Sequence, residues 1–343
     1  MYRAVVVGCG RIGSLYDHDR PESNADPLTH AGAYAAHSRV QLAAGVDPVV
    51  ERRNQFTAQW KAPAYASVAE MLKEVRPDLW SICTAPQSHL ALVQLALANG
   101  ARGIWCEKPL ADTLVAAAGI VRACETMGVA LMVNHSRRFD RFHQDLARRL
   151  QTGEWGRVER VLIHYTRGIA NYGTHAFDLL RLLVGDEIAC LSACDDLHEA
   201  DADPSLTVRG ITRRGLPFAL LPTRRAHYDS LEVDVWASAG RVTITHLGRG
   251  VRQYRVGPSP DWDEPAVLLE TPGEFLHGMH GMTCAAVSNL IAYIEAGEPL
   301  LSSGRDGLAA LAAVCAAERS AARSGQPVDV GGLLTETWKG ADA

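Results

Sequence analysis

The segment Ala4-Val-Val-Val-Gly8-Cys9-Gly10-Arg11-Ile12-Gly13 constrains the fold more than any other, because it runs a short apolar strand directly into a glycine-spaced turn and a helix-like segment. In that context a G-x-G-x-x-G spacing gives the three glycines separate roles, namely the tight turn, close approach of backbone to a pyrophosphate, and close packing of helix on strand. The ligand's negative charge would lie at the N–H-rich, positive end of the helix. A dinucleotide site is therefore expected.

The second part of such a fingerprint is an acidic residue at the end of the next strand, and Val40-Gln-Leu-Ala-Ala-Gly-Val-Asp47 supplies it. A carboxylate there accepts hydrogen bonds from the adenosine ribose and repels a 2′-phosphate, which favours NAD over NADP. Arg52 and Arg53, just beyond, are the residues that oppose this preference. From Gly13 to Asp47 is 34 residues, against roughly 20 in the usual spacing. The excess corresponds to a polar insert over about 14–29, read first as a solvated surface loop and secondly as a cover over the ligand edge of the sheet.

After Asp47 the pattern alternates. Strands are expected at Leu79–Cys83, Gly103–Cys106 and Val129–Val133, with helices at Ser88–Asn99 and about Asp112–Met127 between them. Such alternation implies a parallel, doubly wound sheet ending near Val133. Beyond it the helices at about Asp140–Leu150 and Asn171–Val184 flank a strand at Arg157–Arg167. Strand-like runs at Leu206–Thr212, Phe218–Thr223, Leu231–Trp236 and Arg241–His246 follow, closely spaced by Gly and Pro turns. Short connections imply a largely antiparallel sheet. The expected division is thus an NAD-binding Rossmann domain over 1–133 and an α+β substrate and oligomerisation domain over 134–343, closed by alanine-rich helices near 275–296 and 305–324.

A chain of 343 residues with 47% hydrophobic and 21% charged residues suits two globular domains, and a net charge of −5 gives no reason to expect nucleic acid or an anionic membrane as partner. The first apolar run is too short for a signal peptide or membrane span, so a cytoplasmic location is expected. The eight cysteines show no C-x-x-C and no framework; free thiols in a reducing compartment account for them. Cys190 and Cys194 lack further ligands at zinc spacing, so no metal site is expected.

Three clusters fall where a doubly wound sheet would gather them: Thr84-Ala85-Pro-Gln-Ser-His89, Cys106-Glu107-Lys108-Pro109, and Asn171-Tyr172-Gly-Thr-His175-Ala-Phe-Asp178. Singly, each has a plain structural reading: a helix cap, a surface lysine before a proline bend, a core histidine. Together, and in this order, the chain resembles the glucose-fructose oxidoreductase / inositol dehydrogenase / MocA family. The resemblance runs through Gly8–Gly13, Thr84, Pro86 and His89, Glu107-Lys108-Pro109 and Asn134–Phe139. It continues through Gly153–Gly156, Gly173–Asp178, Leu231–Ile244 and Pro327-Val328.

The resemblance implies NAD-linked hydride transfer at a sugar or polyol held between the nicotinamide and the second domain. Lys108 resembles the family's catalytic lysine, which hydrogen-bonds the reacting oxygen, and His175 its general base. A histidine suits that role because both protonation states are accessible near neutrality. Gly8, Cys9, Gly10, Arg11, Ile12, Gly13 and Asp47 then bind cofactor from the turn and second strand. Thr84, Ala85, Glu107 and Lys108 line its edge, and His89 orients the nicotinamide end. Asn171 stands where many members carry Asp, four residues before the histidine and so on the same helical face; an amide orients an imidazole but does not stabilise imidazolium as a carboxylate does. Tyr165 or Tyr172 could then share the proton path and contact substrate, and Asp178 could partly compensate.

Between His135 and Arg167 eight arginines face four acids, which would suit a phosphate-bearing substrate such as a nucleotide sugar. Arg137 is the residue favoured for that contact; the others read as a solvated face. The alternation in Leu231–Trp236 puts Trp236 among polar residues on one sheet face, expected to be an interface in a homodimer or homotetramer. The same resemblance extends to NAD-retaining glycosidases, to non-catalytic dinucleotide sensors and to reductases of tetrapyrrole or dihydrodiol type, which stand as alternatives.

Overall fold

In the computed structural model, residues 1–18, 26–199, 202–260, 266–271 and 278–340 are described. The chain divides into two compact units, one of residues 1–139 with 280–308, the other of 140–279 with 309–342.

The first unit is built on a six-stranded sheet of β1 (Tyr2–Val7), β2 (Val40–Val46), β3 (Ala64–Tyr65), β4 (Leu79–Ile82), β5 (Gly103–Cys106) and β6 (Ala130–Val133). Their order is β3-β2-β1-β4-β5-β6 and every pairing is parallel. This is the dinucleotide-binding order, with the switch point beside β1, where the glycine turn begins. Strands buried on both faces read as unbroken apolar runs rather than alternating ones, as β1 and β4 do. Thr113 caps the helix Leu114–Met127 by accepting from Ala116 N–H at 3.2 Å, and Gly128 ends it at φ +63°.

The expected single boundary at Val133 differs from this division. The helix Met282–Ala296 belongs to the first unit because its buried face, Ala286, Val287, Leu290 and Ile291, enters the same core as Leu79, Trp105 and Met132. Gly103 makes room for it: an added Cβ would lie 2.9 Å from Ile294 Cδ1.

The insert also departs from a solvated loop. Asp17 is 3% exposed, and its carboxylate accepts from Leu28 N–H (2.8 Å), Thr29 N–H (3.0 Å) and the Thr29 hydroxyl (2.5 Å). Thr29 in turn caps a short helix, His30–Ala36, which the periodicity did not announce. The middle of the insert, 19–25, lies outside the described residues.

Among the described residues the second unit carries nine strands: β7 (Val158–Tyr165), β8 (Ile188–Cys194), β9 (Thr207–Thr212), β10 (Pro217–Pro222), β11 (Leu231–Ala237), β12 (Gly240–Thr245), β13 (Gly250–Gly257), β14 (Val267–Glu270) and β15 (Val328–Asp329). Their order is β14-β13-β12-β11-β7-β10-β9-β8-β15, antiparallel throughout except for β7 with β10. The alternation read in β11 holds: Val233 and Val235 are buried, while Glu232, Asp234 and the 37%-exposed Trp236 share the opposite face.

Candidate active site

Each glycine of the turn has a geometric reason. Gly8 sits at φ +95°, and a Cβ there would lie 2.7 Å from Cys83 O. A Cβ on Gly13 would overlap the Gly8 carbonyl oxygen, so the π-helical turn Arg11–Leu15 comes down tightly on the strand end. Gly10 faces open space instead, with nothing within 4 Å of its missing Cβ, the cradle a pyrophosphate requires.

Asp47 has a structural role that the spacing did not reveal. It is 2% exposed; Oδ2 accepts from Cys9 N–H at 3.0 Å and Oδ1 from Val49 N–H at 2.9 Å, tying the glycine turn to the end of β2. Each carboxylate oxygen has two acceptor sites, so capacity for ribose hydroxyls remains. Arg53 donates to the carbonyls of Asp47 (2.8 Å) and Pro48 (2.9 Å), whereas Arg52 Nη1 lies 3.6 Å from Asp47 Oδ2. The residues present fit a dinucleotide. Burial, then the Asp47 carboxylate, pushes the neighbouring Cys9 thiol up to about 12, so this cysteine is inert rather than nucleophilic.

At the carboxyl ends of β4 and β5 stand the loops carrying Thr84, Ala85 and Lys108; Thr84 and Lys108 are partly buried and Ala85 is exposed. Thr84 Oγ1 and Ser88 Oγ are 2.6 Å apart across the turn that opens the helix His89–Ala98. His89 differs from expectation: it is 0% exposed, with Nε2 3.0 Å from Thr84 O and Nδ1 3.1 Å from Leu110 O. Its ring therefore joins the two loops from inside the unit.

Glu107 likewise turns its carboxylate inward. Its Oε1 accepts from Asn134 Nδ2 (2.5 Å) and His30 Nε2 (3.1 Å), and its Oε2 from Lys108 N–H (3.2 Å). Burial alone would raise its pKa; the hydrogen bond and charge of His30, the Asn134 amide and the Lys108 ammonium overcome it and hold the carboxyl below the ordinary glutamate range. Lys108 follows this anchored carboxylate directly. Asn134 opens one of the segments that carry the family resemblance, but nothing in the local sequence pointed to His30.

In the turn Ser136–Phe139 both arginines are 8% exposed, and Arg138 is engaged by Asp306 (3.1 Å) and Leu301 O (3.3 Å). Arg138 is thus a tie within the first unit.

In the second unit Asn171, Tyr172 and His175 are gathered at one place, where the π-helical turn Gly168–Gly173 enters the helix Thr174–Val184. Asp203 secures that turn, accepting from Ala170 N–H (2.8 Å) and Asn171 N–H (3.0 Å). The rings of Tyr172 and His175 meet edge to face at 6.4 Å. Because the α-helix starts only at Thr174, the one-face argument for Asn171 and His175 does not carry over from regular helical spacing. Asp178 is 2% exposed, 3.7 Å from Arg181 Nη1 one turn along, and serves as a helix anchor.

Tyr165 departs from its expected place in the site. It is 0% exposed; its hydroxyl donates to Leu206 O at 2.7 Å and accepts from Leu206 N–H at 2.8 Å. Both capacities are consumed by backbone, and burial, the largest effect, raises its pKa well above the usual tyrosine value. The hydroxyl thereby ties the end of β7 to Leu206.

Residues 2–135 match the family model described as an oxidoreductase family with an NAD-binding Rossmann fold. Over nearly the whole chain the protein is similar to a D-apiose dehydrogenase from Paraburkholderia graminis, 29% identical over 98% of this chain and 91% of the relative. It is also similar to a myo-inositol 2-dehydrogenase from Thermotoga maritima, 24% identical over 93% and 96% of the two chains. Among solved structures, an Agrobacterium radiobacter oxidoreductase in complex with NAD+, L-tartaric acid and magnesium superposes with a TM-score of 0.76, at 21% identity over 97% of this chain and 99% of that one. The WlbA dehydrogenase of Bordetella pertussis, in complex with NADH and UDP-GlcNAcA, gives 0.75 at 21% identity over 96% and 98%. The structural likenesses establish the fold. Residues 2–135 are the NAD-binding Rossmann domain of the glucose-fructose oxidoreductase / inositol dehydrogenase / MocA family of oxidoreductases, and the similarity to dehydrogenases extends over nearly the whole chain. Among the described residues, no helix is long and apolar enough to cross a membrane.

Proposed function

We propose that this protein is an NAD(H)-dependent dehydrogenase acting on a secondary alcohol, or the corresponding ketone, of a sugar, polyol or nucleotide sugar. The observation that carries this reading is the Glu107-Lys108 loop, anchored by three hydrogen bonds to the Glu107 carboxylate at the same sheet edge as the glycine turn. When bound, a nicotinamide would supply the hydride acceptor or donor. Lys108 hydrogen-bonds the reacting oxygen and steadies its developing charge, while His175 takes the hydroxyl proton in oxidation and returns it in reduction. Tyr172, packed on His175, and Arg137 are assigned to substrate. Asp47 at the end of β2 favours NAD over NADP.

The names of the curated relatives direct the first substrate panel to myo-inositol and D-apiose, with nucleotide sugars added because of Arg137. NADH formation followed by absorbance across that panel tests the reading, and Lys108→Ala and His175→Ala should each lower turnover by about 100- to 10,000-fold. Near-normal turnover in either variant, with the fold intact, removes that residue from the reaction. We also assign the open face of the second sheet to a homo-oligomer contact, since Trp236 there is 37% exposed with the Arg241 guanidinium 4.6 Å over its ring. A monomeric mass at micromolar concentration would count against it. The free cysteines accord with a reducing, cytoplasmic location.

A further inference from the structure

The Lys108 loop is held from inside by a residue that neither the motifs nor the proposed chemistry uses. His30 is 0% exposed and is the first residue of its helix; Thr29 caps that helix, and Asp17 holds Thr29. Its ring stacks on Trp105 of β5 with centroids 3.6 Å apart and 29° between planes. Nδ1 lies 2.8 Å from Ser81 Oγ, which donates to Tyr34 OH at 2.9 Å. Nε2 lies 3.1 Å from Glu107 Oε1.

The polarity of this chain follows from its end. An ionised carboxylate only accepts, so Nε2 carries the proton shared with Glu107, and stacking on Trp105 leaves the ring no other orientation that reaches both Ser81 and Glu107. With Asn134 also donating to Oε1, the second oxygen is left for Lys108 N–H. The backbone of the lysine is thereby hydrogen-bonded to a carboxylate whose own position is set by His30. Remove the His30 donor and a buried carboxylate loses one of its partners, and the adjacent loop loses part of its anchorage.

We propose that His30 is a positioning residue for Lys108, acting through Glu107 to fix the loop that presents the ammonium group. The proposal rests on the assignment of Lys108 to the reacting oxygen, but its structural content can be tested without turnover. Gln and Asn discriminate between the two ring nitrogens. The Gln amide nitrogen reaches about as far as Nε2 and can restore the donor to Glu107; the Asn amide reaches only to about Nδ1 and can restore only the Ser81 contact. His30→Phe keeps the stacking and loses both.

The experiment is pulsed acylation of the full-length protein with acetic anhydride at fixed pH. Lys108 modification is read by peptide mass mapping and normalised to Lys73, on the helix Val68–Glu74 far along the sequence. Circular dichroism and NADH fluorescence titration control for folding and cofactor affinity. The expected result is a Lys108 modification rate changed by about tenfold in His30→Phe and His30→Asn, the scale of losing one charge-assisted hydrogen bond, with His30→Gln within twofold of the native protein. If His30→Phe does not fold, the contrast between Asn and Gln decides. Equal rates in all variants, or equal changes in Gln and Asn, overturn the proposal. Where the native protein oxidises a sugar or polyol, the same variants should lower kcat more than they raise KM. Absence of any NADH binding or turnover in the native protein refutes the dehydrogenase reading instead, and leaves the labelling contrast to judge His30.

Discussion

Alanine at Gly10 and alanine at Gly13 should separate ligand binding from folding, although the two positions are three residues apart. Gly10 has φ −74° and ψ −158°, a conformation alanine adopts freely, and its missing Cβ points into open space. Gly10→Ala should leave stability unchanged or raise it by about 0.4–1 kcal/mol, because it narrows the unfolded ensemble. The methyl group would fill the space assigned to the pyrophosphate. If that space resists overpacking as a protein core does, the penalty is about 1–3 kcal/mol, equivalent to a dissociation constant for NAD weakened by roughly 5- to 150-fold. At Gly13 the added Cβ would overlap the Gly8 carbonyl oxygen and stand 3.4 Å from Cys83 Cβ, so the backbone of the turn must shift. Gly13→Ala should therefore lose about 1–3 kcal/mol of stability, at about 2–4 °C of melting temperature per kcal/mol for a domain of this size. Calorimetric titration with NAD and thermal melting followed by circular dichroism measure the two effects. Native affinity in Gly10→Ala would mean that no pyrophosphate approaches the backbone of this turn, and a native melting temperature in Gly13→Ala would refute the packing argument.

Glu107 has a folded pKa held below its ordinary value of 4.5, so it contributes stability at pH values above that figure and loses the contribution as pH falls through the depressed folded value. The melting-temperature gap between the native protein and Glu107→Gln should therefore narrow as pH falls below 4.5; a gap independent of pH would show that the carboxylate is not ionised in the fold. Tyr165→Phe strands the Leu206 N–H and carbonyl and should cost about 1–3 kcal/mol with KM unchanged, whereas a raised KM at native stability would return Tyr165 to the substrate site. In Asp47→Ala, with Arg52 Nη1 now unopposed at the ribose position, the NADP-to-NAD affinity ratio should rise by calorimetry; an unchanged ratio would remove Asp47 from cofactor selection.

The Rossmann unit is legible in the sequence because its signals are local: apolar strands of four to seven residues, glycines at fixed offsets, and caps such as Thr113 and Gly128. What the sequence does not reveal is decided by distant partners. The helix Met282–Ala296 reads as alanine-rich from sequence, and nothing within it tells which of two cores its Leu290 and Ile291 will join. Asp17 looks like one more polar residue of an insert, yet its acceptors serve backbone groups 11 and 12 positions on. Tyr165 is a sequence candidate because a nearby tyrosine could share the proton path where Asn171 stands in place of Asp; the Leu206 backbone, 41 positions away, takes both its hydrogen-bonding capacities. The small strands β3 and β15 carry too few residues to stand out.

The return of residues 280–308 to the first unit sets an order of events at the ribosome. A nascent chain that has reached Phe139 holds all six strands of the parallel sheet, but Leu79, Trp105 and Met132 still lack the Ala286, Val287, Leu290 and Ile291 side chains that share their core. At about 5–20 residues per second, translation of the intervening segment 140–279 exposes that face for roughly 7–30 s. During that interval a chaperone, or the stretch still being made, must keep it from other chains. A fragment ending at Phe139 should accordingly precipitate or bind a hydrophobic dye when expressed alone, and supplying 280–308 through a short linker should restore a soluble, cooperatively melting domain; a soluble, dye-free 1–139 fragment would show that the returning helix is dispensable.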